Sequence, residues 1–144
     1  MKPKSLRLFD KLFALAAVLV LASAVLSFGN LEARALIGFG GEGEGARGMA
    51  IWMVIASLFI FMLLATILWA SVSVMRVGFL RWLLALVVLY ALWQNYETIA
   101  ATGTSLANLV DLAASLVAGA ATAVLFRADA RAWFAAVPDD SGIG

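Results

Sequence analysis

Four long apolar stretches decide what this chain can fold into. They run over about residues 12–28, 49–75, 79–100 and 105–126. The first two contain no charged residue, the third only Arg81 and Glu97, and the fourth only Asp111. Each approaches or exceeds the ~18 residues at which an apolar run reads as a membrane-spanning helix. Strands of a membrane β-barrel would be about ten residues long and would alternate in polarity. These runs do not alternate. The expected fold class is therefore all-α: one integral membrane domain over residues 1–144, built as a four-helix antiparallel bundle. The second stretch has 27 residues, enough for about 40 Å of helix. That exceeds a hydrocarbon core of about 30 Å, so this helix should tilt or project from the bilayer.

Composition narrows the function classes. Hydrophobic residues make up 65% of the chain and charged residues 13%, against about 25% charged in an ordinary soluble domain. Cysteine and histidine are both absent. Without cysteine there is no disulfide framework and no thiolate ligand. Without histidine, the commonest general base, metal ligand and axial haem ligand is missing. No cofactor or metal is expected, and no nucleophile–base pair suggests an enzyme. The net charge of +1 and the lack of a basic stripe exclude nucleic acid as an obvious partner.

Orientation follows from the basic residues. With the N-terminus inside, Lys2, Lys4, Arg7, Lys11, Arg76, Arg81, Arg127 and Arg131 fall on the inner side, and only Arg34 and Arg47 on the outer. The positive-inside bias then predicts N-in and C-in, in a bacterial-type inner membrane. The basic lead-in before the first run, with Ala22-Ser23-Ala24 after it, also has the pattern of a signal peptide. The run is expected to be retained as the first span.

The connections differ in character. An outer segment over residues 29–48 holds seven of the twelve glycines and is expected to be a mobile loop. It lacks the Gly-Lys-Ser/Thr ending of a phosphate-binding loop. The segment over residues 128–144 is expected to be a polar tail. Its first part, with Trp133, Phe134 and Val137, could continue the fourth helix along the inner surface. Leu6, Phe9 and Phe13 beside Arg7 and Lys11 read as an amphipathic lead-in on the same surface.

The candidate site residues lie on the fourth span. At 100° per residue, Asn108, Asp111, Ser115 and Thr122 share one face, with Gly119 beside them. Leu109, Leu116 and Val124 lie on the opposite, lipid-suited side. A charge inside a span is costly, so Asp111 should face the protein or a wet cavity. The small residues Ser115, Gly119 and Ala123 also suit close helix packing. A second group, Asn30, Gln94 and Glu97, is a candidate outer polar layer. The short turn at Ala101–Thr104 brings Glu97 to the same side of the membrane as Asp111. Glu97 is expected to be exposed at the interface there, and a close pairing of the two carboxylates is the alternative.

Two functions are consistent with these features. The first is a non-enzymatic accessory or assembly subunit acting through helix–helix contacts. Its partners would be the lipid bilayer and either another protein or further copies of itself. The alternative is a small oligomeric transporter or channel with Asp111 and Glu97 lining a polar path.

Overall fold

The computed structural model describes residues 2–38 and 44–136. They form six helices: α1 (Lys4–Leu26), α2 (Phe28–Gly38), α3 (Glu44–Ser73), α4 (Leu80–Thr102), α5 (Leu106–Val124) and α6 (Ala128–Ala135). Among the described residues, α1, α3, α4 and α5 are long and apolar enough to cross a membrane. This is the character of a multi-pass membrane protein.

Helix α5 lies between α1 and α4 and packs most extensively on α1. Contacts at both ends show that it runs antiparallel to each. Ser23 near the end of α1 bonds the Ala107 carbonyl near the start of α5. Trp82 at the start of α4 meets Phe126 just beyond the end of α5, ring centroids 4.9 Å apart. Helix α3 stands to one side. It packs mainly on α2 and touches α1 and α4 only sparsely.

The buried apolar core is not central. It gathers Leu6 and Phe9 from the start of α1, Val72 from the end of α3, Leu84 from the start of α4, and Ala121 and Leu125 from the end of α5. All lie at the end of the molecule that carries residues 2 and 136, here the proximal end. Leu6 and Phe9, read from sequence as a lead-in on the membrane surface, are instead fully enclosed. Helix α1 begins at Lys4 rather than near residue 12, so these side chains turn inwards on a regular helix.

Two connections depart from the sequence expectation. Residues 29–48 are not a loop throughout. Phe28–Gly38 is helical, and α3 already begins at Glu44. The run Leu31-Glu32-Ala33-Arg34-Ala35-Leu36 is made of good helix formers, and this outweighs its flanking glycines. The Arg47 Nε–Glu32 Oε1 pair at 2.7 Å ties α2 to the start of α3. The glycine-rich centre, 39–43, lies outside the described residues.

The second departure is at the other terminus. The chain does not continue α5 as a single helix. It turns at Leu125–Arg127 and forms the separate helix α6. Helix α6 docks on the α3–α4 connection: the Arg76 guanidinium stacks on Trp133 at 3.7 Å and donates to the Ala136 carbonyl at 3.2 Å. Arg76 has φ of 58°, a conformation costly for a side chain with a Cβ, and these contacts hold it there. Gly78 permits the approach, since a Cβ there would lie 3.3 Å from Phe134 Cβ. Residues 137–144 of the expected tail, with Val137, lie outside the described residues.

Candidate functional site

The α4–α5 turn shapes the distal end, opposite the core. Gly103 closes α4 at φ 79°, which glycine adopts freely. Ser105 caps α5, its hydroxyl accepting from the Asn108 backbone N–H at 3.1 Å. The Asn108 side-chain amide then donates to the Gly103 carbonyl at 2.8 Å and to Thr102 Oγ1 at 3.1 Å. Asn108 is thus spent on fixing the turn.

One turn further along α5, Asp111 faces a cleft of about 690 Å³ between α1, α2 and the α4–α5 turn. Ser23, Asn30, Arg34, Thr98 and Asn108 share its wall. The Asp111 carboxylate sits beside the Asn95 amide and the Ser23 hydroxyl. The ion pairs among the described residues are Lys2–Asp10 and Arg47–Glu32, so Asp111 is paired with no cation there.

Below Asp111 the polar face closes up. Asn95 Nδ2 donates to Ser115 Oγ at 2.9 Å between α4 and α5, and both residues are buried. The same amide donates to the Ala91 carbonyl of its own helix at 2.9 Å. Gly119 faces Val88 of α4, where a Cβ would make ordinary contact with Val88 Cγ1 at 3.4 Å. Thr122 is buried, with its hydroxyl satisfied by the Ala118 carbonyl at 2.9 Å. The five predicted residues of α5 therefore divide by depth. Asn108 and Asp111 face the cleft, whereas Ser115, Gly119 and Thr122 pack between helices.

The expected outer polar layer is not assembled as a unit. Asn30 reaches the cleft wall. Gln94 and Glu97 are exposed, and Gln94 Nε2 donates to Tyr90 OH at 2.7 Å. The reason is helical phase. Leu84, Val88, Asn95, Thr98 and Thr102 form the α4 face turned to α5, and positions 94 and 97 lie about 100° and 160° away from Asn95. Glu97 therefore shares no cavity with Asp111.

Two further polar groups escaped the sequence reading. Asn95 could have been found from its phase, since it shares a face with Thr98 and Thr102. Asp10 is the second. At the proximal end its Oδ2 accepts from Lys2 Nζ at 2.6 Å, and its Oδ1 from Trp69 Nε1 at 2.9 Å and Ser73 Oγ at 2.5 Å. Lys2 also bonds Ser73. Trp69 and Ser73 are four residues apart and so share one face of α3. This knot ties the start of α1 to the end of α3.

Among the described residues no group of three or more His, Cys, Asp or Glu side chains could hold a metal ion. Compared with known protein families, with curated proteins and with solved structures, the chain finds no match.

Proposed function

We propose that this protein is a non-enzymatic accessory or assembly subunit of a bacterial-type inner membrane, inserted N-in and C-in as a four-helix antiparallel bundle. The observation that carries the reading is the state of α3. Only 6% of its most apolar stretch is buried within the chain, against 22% in α1 and in α5. The Asp10 knot holds its proximal end and α2 its distal one. One face of it presents Trp52 in its first third and Phe59 and Leu63 in its middle, 71%, 70% and 50% exposed. Helices in lipid associate through packing rather than through hydrophobic drive. A long helix with little packing of its own therefore has the most to gain from a partner helix, and large aromatic side chains suit such anchors.

The test is the composition of the particle extracted in mild detergent at native abundance. A stoichiometric partner is expected. Phe59→Ala with Leu63→Ala should reduce its recovery about tenfold, the effect of losing roughly 1.4 kcal/mol at an interface. A monomeric particle, or one indifferent to both substitutions, would overturn the reading.

A second reading, a small oligomeric transporter or channel, is favoured by the cleft that ends on Asp111. In it Asp111 lines the outer half of the path, and Glu97 drops out because it faces away. The Phe9–Leu125 core closes the inner half, so conduction requires that core to open or the path to run between copies. Asp111→Asn is expected to lower flux in proteoliposomes about tenfold, the weight of one charge-assisted hydrogen bond. Unchanged flux would sink this reading.

A further inference from the structure

We propose that the distal cleft is a binding site for a small zwitterion that carries a primary ammonium group and a carboxylate or phosphate. The site has the size for it: about 690 Å³ falls within the range of small-molecule pockets, roughly 300–1,000 Å³. Its chemistry is bipolar. Asp111 stands five residues inside the start of α5, about 7 Å down the helix axis. It is a carboxylate with no cation paired to it among the described residues. Arg34 stands on α2 at the same cleft, exposed and outside both ion pairs.

Each charge excludes a simpler ligand. A plain cation bound at Asp111 would share the cleft with the Arg34 guanidinium, which repels it. A plain anion drawn to Arg34 meets a carboxylate inside a low-dielectric wall, where like charges repel strongly. A zwitterion satisfies both ends. Its ammonium would take Asp111 as acceptor, with the Ser23 and Thr98 hydroxyls beside it to complete its three hydrogen bonds. Its acid group would take the Arg34 fork, which suits carboxylate and phosphate alike.

Two sources carry this chemistry: a soluble amino acid, or the headgroup of an ethanolamine phospholipid. The site does not depend on α3 and its partners. The transport reading would need such a site, but binding does not require transport.

The experiment uses the full chain in nanodiscs of phosphatidylglycerol. γ-Aminobutyrate and O-phosphoethanolamine are titrated by calorimetry, with n-butylamine and butyrate as probes lacking one charge each. Saturable binding of at least one zwitterion is expected, with both single-charge probes at least about tenfold weaker, since each loses one charge-assisted contact. Asp111→Asn and Arg34→Gln should each weaken the zwitterion by about the same factor. Arg34 is exposed, so its substitution leaves the fold intact and serves even if Asp111→Asn unfolds the protein. Adding phosphatidylethanolamine to the nanodisc separates the sources. Competitive loss of the soluble probe supports the headgroup, and unchanged affinity supports a solute. No saturable binding of either zwitterion, butylamine binding as tightly as γ-aminobutyrate, or undiminished binding by Arg34→Gln would each overturn the proposal.

Discussion

Ser115→Leu lowers the stability of the folded protein by about 2–4 kcal/mol, measured by equilibrium unfolding in detergent–SDS mixtures. Two effects add. Ser115 is 8% exposed and lies between α4 and α5, so three extra carbon atoms must displace packed neighbours, at about 1–3 kcal/mol. The substitution also removes the acceptor of the Asn95 amide. Interhelical hydrogen bonds in membrane proteins average about 0.6 kcal/mol and reach about 1.7. The Asn95 amide keeps the Ala91 carbonyl, which limits that second loss. Ser115→Ala separates the two effects, because it deletes the bond without adding bulk. It should cost less than about 1 kcal/mol. A leucine variant as stable as the native protein would mean that α4 and α5 do not pack through this face.

Asp10→Ala is the second large perturbation, at about 2–3 kcal/mol in the same assay. Asp10 accepts from Lys2, Trp69 and Ser73. Both partners of its ion pair have side chains less than one third exposed, so solvent screens this pair less than a surface pair. Ser73 is 3% exposed, and losing its partner leaves a buried hydroxyl dependent on Lys2 alone. Asp10→Asn retains an oxygen for Trp69 and Ser73 and gives up mainly the ion pair, so it should cost about half as much. The two variants should also differ in where they loosen the molecule. Hydrogen exchange should rise at the end of α3 and the start of α1 in the alanine variant. The Asn95–Ser115 region should stay protected. Uniform loss of protection across all helices would show that the knot is not local.

The two polar clusters differed in how legible they were. Asp111 was legible because a lone charge in an uncharged run has few places to go. Asp10 was not, because a charge at the start of a span, among Lys2, Lys4, Arg7 and Lys11, looks like ordinary interfacial solvation. Only the fold shows that Trp69 and Ser73, some sixty residues away, turn their donors towards it. Glu97 illustrates the converse. The sequence places it near Asp111 along the chain direction, but an α4 face is chosen by packing, and packing chose Asn95. Helix α2 was obscured by glycine counting: a segment can be glycine-rich at its centre and still hold a run of helix formers at its start.

The number of long helices, their all-α character and their fitness for a bilayer could be read from the residues of each run alone. Those properties are local, because a helix satisfies its own backbone hydrogen bonds and its hydropathy is a sum over its own residues. Which faces meet emerged only from packing: α5 between α1 and α4, α3 set aside, the core at the proximal end and a cleft at the distal one. Hydropathy cannot rank those contacts, since lipid and a neighbouring helix are almost equally apolar. The choice falls to small residues enclosed between helices, such as Ala114 and Ala121, and to single hydrogen bonds such as Asn95–Ser115.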